Sequence, residues 1–115
     1  MRVASVIVVA LLAAGAARAD GELTAEQRRE LQKKAVDLDR EAAHQFEGAA
    51  YDKAAALQQE ALDARRRLYP REQYPDGHPE LATSLNSLGH LFWVRGEYAR
   101  AEPHLREALA MRQHL

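Results

Sequence analysis

The chain contains no cysteine. That absence rules out disulfides, thiolate metal ligands, a cysteine nucleophile and a lipid-modified N-terminal cysteine. Other chemistry-bearing patterns are missing as well. No glycine-rich phosphate loop occurs. The histidines, His44, His78, His90, His104 and His114, include no pair at the four-residue spacing of a helical zinc site. Ser84 and Ser87 lack the Gly-x-Ser-x-Gly elbow that exposes a nucleophile. Acidic pairs such as Asp37 and Glu41 lie one helical turn apart and suit a solvated face. Acidic and basic residues are mixed along the chain, and no basic block exists to hold a phosphate backbone. The expectation is a protein that is not an enzyme, with no catalytic residues, no cofactor, no metal and no nucleic-acid partner.

Only one long apolar run is present, and it stands at the front. Met1-Arg2 is a short basic start, Val3 to Ala17 is almost wholly apolar, and Ala17-Arg18-Ala19 places small residues at the −3 and −1 positions of a cleavage site. This is the three-part plan of a secretory signal peptide. A bilayer span needs roughly 20 apolar residues, and the run ends earlier, at Arg18. Residues 1–19 are therefore expected to be a signal peptide cleaved after Ala19, giving a secreted or periplasmic protein with no membrane attachment after cleavage. Without Arg2 and Arg18, 14 basic side chains face 17 acidic ones, a net charge of −3. With no disulfides, a chain of this size must be stabilised by helix packing.

Runs of Val, Ile and Thr are missing after residue 19, where Ala, Leu, Glu, Arg and Gln dominate. These are helix formers, and proline and glycine divide them into four stretches. The first opens at Thr24, which with Gln27 makes a capping box, and runs to Glu47 before Gly48. Leu31, Ala35, Leu38 and Ala42 mark its apolar face. The second is expected from about Ala50 to Tyr69, ended by Pro70. Pro70 to Pro79 holds three prolines and Asp76-Gly77, and reads as a loop. Pro79 suits the first turn of a third helix, which continues to Val94. The fourth runs from Glu97 to the end of the sequence. Pro103 inside it should bend the helix or delay its regular start.

The stretches repeat. An offset of 47 residues brings Ala35 onto Ala82, Leu38 onto Leu85, Tyr51 onto Tyr98, Ala54 onto Ala101, Glu60 onto Glu107, Ala61 onto Ala108, Leu62 onto Leu109, Arg65 onto Arg112 and Leu68 onto Leu115. That is 9 identities in 34 aligned positions, mostly small or apolar residues at helical spacing. Such a face resembles the tetratricopeptide repeat (TPR), a helix-turn-helix unit of about 34 residues. In the second copy Leu85, Leu88-Gly89, Phe92, Gly96, Tyr98, Ala101, Leu105 and Ala108 take the repeat's packing positions. The first copy is degenerate: Glu41-Ala42 replaces Leu-Gly, Gln58 replaces a large apolar residue, and Gly48 arrives one position early. The linker Asp76-Gly77-His78-Pro79, followed by Ala82-Thr83-Ser84-Leu85-Asn86-Ser87-Leu88-Gly89, resembles the kinesin-light-chain-like TPR subfamily, with Gly77 and Ser87 as departures.

The resemblance implies an all-α fold of two antiparallel TPR hairpins, a short right-handed α-solenoid. The expected organisation is residues 1–19 signal peptide, 20–34 an N-terminal extension of the first helix, 35–69 the degenerate repeat, 70–81 the linker and 82–115 the second repeat. It also implies a protein- or peptide-binding scaffold that uses the concave face of each repeat's first helix. In the second repeat that face would be Thr83, Asn86, His90 and Trp93; in the first, Phe46, with Arg40 beside it, and Asp39 and Ala43 at matching positions. An asparagine carboxamide both donates to and accepts from a peptide backbone, and a tryptophan is a common interface anchor. The alternative is a structural remnant or cap of a longer array. Self-association is also expected, because Leu105, Leu109 and Met111 would have no following helix to cover them.

Overall fold

A computed structural model describes residues 22–115, so the signal-peptide expectation for residues 1–19 lies outside the described residues. Four helices follow in order: α1 (Ala25–Glu47), α2 (Tyr51–Leu68), α3 (Pro79–Val94) and α4 (Tyr98–His114). No strand occurs among the described residues.

The described residues divide between Glu30 and Leu31. On the N-terminal side the capping box forms as expected. Gln27 N donates to Thr24 Oγ1 at 3.0 Å, and Thr24 N donates to Gln27 Oε1 at 2.9 Å. Two otherwise orphaned N–H groups are satisfied in this way.

Residues 31–115 hold the core, which is built from small side chains between larger ones. Ala35 and Ala42 of α1, Ala54, Ala61, Leu62 and Leu68 of α2, Leu81, Leu85, Leu88 and Phe92 of α3, and Ala101 and Ala108 of α4 are all buried. The alanines permit close approach of the helix axes, and the leucines fill the remaining space. Gly89 shows how tight this is in the second hairpin. A Cβ added there would lie 2.7 Å from Leu105 Cγ and Cδ2, so any larger residue would force Leu105 to shift.

Both hairpin turns use the same backbone device. After α1, Ala49 N donates to Phe46 O and Ala50 N to Gln45 O; after α3, Gly96 N donates to Trp93 O and Glu97 N to Phe92 O. These bonds close the helix ends around a left-handed residue. That residue is Gly96 (φ 79) in the second hairpin, but Ala49 (φ 60) in the first. The glycine that the sequence places one position early, Gly48, is not the one in the left-handed conformation.

Three details differ from the sequence expectation. First, α2 ends at Leu68, and Tyr69 leaves the helix at φ −128, ψ 66, outside the α region that a following proline disfavours. Second, Pro103 does not delay α4. The helix is regular from Tyr98, and Ala101 N already donates to Glu97 O. Third, Met111 does not share the uncovered side of α4 with Leu109. It packs over the linker at Gly77, where a Cβ would come within 2.6 Å of Met111 Cγ and Sδ. Gly77 (φ 91) therefore supplies both a left-handed turn and room for the methionine.

The linker is ordered by an aromatic clasp. Tyr69 and His78 stack at 3.6 Å with planes 6° apart, and Tyr74 meets both edge-on at 5.2 and 5.6 Å. His78 is also the N-cap of α3, its Nδ1 accepting from Glu80 N at 3.1 Å. Tyr69 Oη donates to Glu80 Oε2 at 2.6 Å. Burial pushes the Tyr69 phenol above its usual pKa, and the bond to the Glu80 carboxylate adds to the rise.

Candidate functional site

The four residues expected on the α3 face, Thr83, Asn86, His90 and Trp93, are all exposed on that helix. Their three- and four-residue spacing puts them along one side of it, while Leu81, Leu85, Leu88 and Phe92 are turned into the core. Thr83 Oγ1 donates to Pro79 O at 3.0 Å, so its hydroxyl proton is already engaged.

The aromatic residues join this face to α1. Phe46 near the end of α1 lies 6.1 Å from His90, and His90 lies 6.5 Å from Trp93 with planes 14° apart. Tyr51 extends the row beyond Phe46 at 5.2 Å, and Tyr98 extends it beyond Trp93 at 5.9 Å. Five rings from four helices thus form a continuous row. Trp93 is 55% exposed, and nothing in the hairpins covers it.

Beside the row is a groove of about 290 Å³, lined by Ala42, Ala43, Phe46 and Glu47 of α1, Gln58 of α2, and Ser87, His90 and Leu91 of α3. Of the expected site residues, the structure brings Phe46 and His90 together here. Thr83, Asn86 and Trp93 are not among the lining residues. Arg40 is exposed and bonded to Asp37 at 3.3 Å.

Asp39 has a different task. Arg65 of α2, 5% exposed, donates through Nη1 to Asp39 Oδ1 (3.1 Å) and Ser84 Oγ (2.6 Å), and through Nη2 to Asp39 Oδ2 (2.5 Å). Its Nε has no hydrogen-bond partner among the described residues, and Glu80 Oε1 lies 3.8 Å away. One guanidinium therefore ties α1, α2 and α3 together, with the bidentate geometry that suits arginine and carboxylate. Sequence reasoning missed this tie. Arg65 aligns with Arg112, which is exposed, and nothing in the sequence separates the two.

A second cleft, of about 560 Å³, is lined by Trp93, Tyr98, Ala101, Glu102, Leu105, Arg106 and Leu109. It lies along α4, where Tyr98 and Leu109 are 60% and 59% exposed. Among the described residues, no three histidine, aspartate or glutamate side chains converge on a point that could hold a metal ion.

Residues 81–115, spanning α3 and α4, match the family model of the tetratricopeptide repeat. That segment is similar to a single tetratricopeptide repeat. The match covers the second hairpin, whose Gly89–Leu105 contact and Gly96 turn are the features the first hairpin lacks. No curated protein and no solved structure matches the chain. The aromatic row is a surface of the residue type enriched at protein interfaces.

Proposed function

We propose that the protein is an exported TPR scaffold that holds an extended segment of a partner protein along the α1/α3 face. The observation that carries this is the unburied row of rings Phe46, His90 and Trp93, flanked by Tyr51 and Tyr98. Aromatic side chains in the open gain most from being covered, and they dominate the energetics of interfaces. Asn86, exposed one turn from His90, offers a carboxamide to a peptide backbone. Export rests on residues 1–19 and the Ala17-Arg18-Ala19 triplet. The Asp76-Gly77-His78-Pro79 turn and the α3 residues after it support placement in the kinesin-light-chain-like subfamily. No catalytic step belongs to this function.

The test is a pull-down from envelope extract with wild type, Trp93→Ala and Leu88→Ala. Trp93→Ala is expected to weaken capture by about 2 kcal/mol or more and to leave the circular dichroism spectrum intact. Leu88→Ala, at a fully buried position, is expected to lower stability by about 2–5 kcal/mol. A Trp93→Ala protein that unfolds, or that keeps every partner, would defeat the proposal.

The α4 cleft favours a second, structural role, in which another helix covers Trp93, Tyr98, Leu105 and Leu109. A polar substitution at Leu109 separates the two. It should abolish self-association seen by sedimentation and leave peptide binding on the α1/α3 face unchanged.

A further inference from the structure

Gln58 stands out among the buried polar groups. It occupies the position that Leu105 fills in the second hairpin, it is only 8% exposed, and its Oε1 has no hydrogen-bond partner among the described residues. A buried acceptor left unpaired costs stability, so its retention calls for a reason. Gln58 is also among the residues that line the groove between α1 and α3.

The rest of the groove indicates what could satisfy it. Ala42, Ala43 and Leu91 are apolar, Phe46 and His90 offer ring surface, and Ser87 is small and polar. The charged lining residue is Glu47, exposed and with no ion-pair partner among the described residues. An anion would meet the Glu47 carboxylate and a carbonyl oxygen. A cation would find both as acceptors, with Phe46 available for a ring contact and apolar sides for a methylene stem.

We propose that this groove is a subsite for a basic side chain, lysine or arginine, of the bound segment, with Gln58 Oε1 as its buried acceptor and Glu47 as its counter-charge. The subsite rests on the α1/α3 binding function proposed above. It also explains why the first hairpin carries glutamine where the second has leucine. The exchange loses one packing residue and creates a polar floor.

The test is selection of random heptapeptides displayed against the full chain, followed by affinity measurement of the selected peptides. Gln58→Leu and Glu47→Gln serve as comparison proteins. Selected peptides are expected to share one lysine or arginine. Replacing it with norleucine should weaken binding to wild type by about tenfold, as for loss of a hydrogen bond to a charged group, and change binding to Gln58→Leu by less than about twofold. Gln58→Leu is expected to fold, since leucine holds the equivalent place in the second hairpin. Should it fail to fold, Glu47→Gln, at an exposed position, carries the same comparison. Peptides that need Trp93 but share no basic residue, or share an acidic one, would overturn the subsite and leave the binding face standing. The same follows if norleucine costs as much on Gln58→Leu as on wild type. Failure to select any peptide would overturn the binding face and the subsite with it.

Discussion

The two hairpins share a backbone plan and differ in what their side chains can do with it. In the second, Gly89 admits Leu105 and Gly96 turns the chain without strain. In the first, the equivalent positions are Ala42, Gln58 and Ala49, so close apolar contact gives way to a groove and the turn is strained. The first hairpin compensates with a polar tie, Arg65 to Asp39 and Ser84. The second has nothing comparable: Asn86 and Arg112 stand in the matching places and are exposed. Burial follows the same division. Leu62 is 1% exposed and its counterpart Leu109 is 59% exposed, because α2 has α1 and α3 against it.

The outer faces differ as well. Leu81, Ser84, Leu88 and Leu91 are buried in α3. The residues 47 positions earlier in α1 are Lys34, Asp37, Glu41 and His44, all exposed. The α4 side leaves Tyr98 and Leu109 in the open.

The largest expected contrast is between Asp39 and Asn86. Asp39→Ala leaves the buried Arg65 guanidinium without its carboxylate and should cost about 3 kcal/mol, the lower end of the range for breaking a buried pair, since Asp39 itself is partly exposed. Asn86→Ala should change stability by less than about 0.5 kcal/mol. Urea denaturation of both variants checks this, and equal effects would remove the polar tie as a feature of the first hairpin. A smaller effect is expected from Gly89→Ala, which forces Leu105 and α4 to shift and should cost about 1–3 kcal/mol. Gly48→Ala, where the nearest atom to a new Cβ is 3.6 Å away, should be tolerated.

The joint between the hairpins titrates. Because the folded Tyr69 phenol has a raised pKa, the folded state holds that proton more tightly than the unfolded chain does. The resulting stability is fully present below the unfolded tyrosine pKa of about 10, and is lost as pH rises through the folded value. Tyr69→Phe keeps the ring against His78 but removes the bond to Glu80. It should cost about 1 kcal/mol at neutral pH and reduce the loss of stability above pH ~10. A variant with an unchanged alkaline melting profile would show that Tyr69 does not link the hairpins through its proton. The smallest effect should come from Ala49→Gly. Relief of a left-handed alanine is worth about 1–2 kcal/mol, offset in part by the entropy of the new glycine, for a net gain of about 0.5–1 kcal/mol. A melting temperature that fails to rise would mean that the first turn is not strained in the way its φ implies.

Much of the fold was legible. Helix formers, the Thr24–Gln27 box, Pro79 at the start of α3 and the 47-residue offset all act within a few residues or repeat at fixed spacing, so they leave marks in the sequence. Of the candidate site, the exposed line of Thr83, Asn86, His90 and Trp93 follows from periodicity on a single helix. The groove did not follow, because it depends on which α1 residues stand opposite that helix.

By itself the sequence determined an all-helical chain of two unequal repeats, where the breaks fall, and which face of each helix is apolar. Local backbone preference and side-chain periodicity suffice for that. Only the tertiary structure decided that Arg65 is buried while Arg112 is not, that Met111 belongs with the linker and Leu109 with the open side, and that Phe46 meets His90. It also decided that Gln58 lies beneath a groove with its carbonyl unpaired. Each of these turns on which helix lies on the other side, and two residues aligned by a repeat share a backbone position without sharing a neighbour.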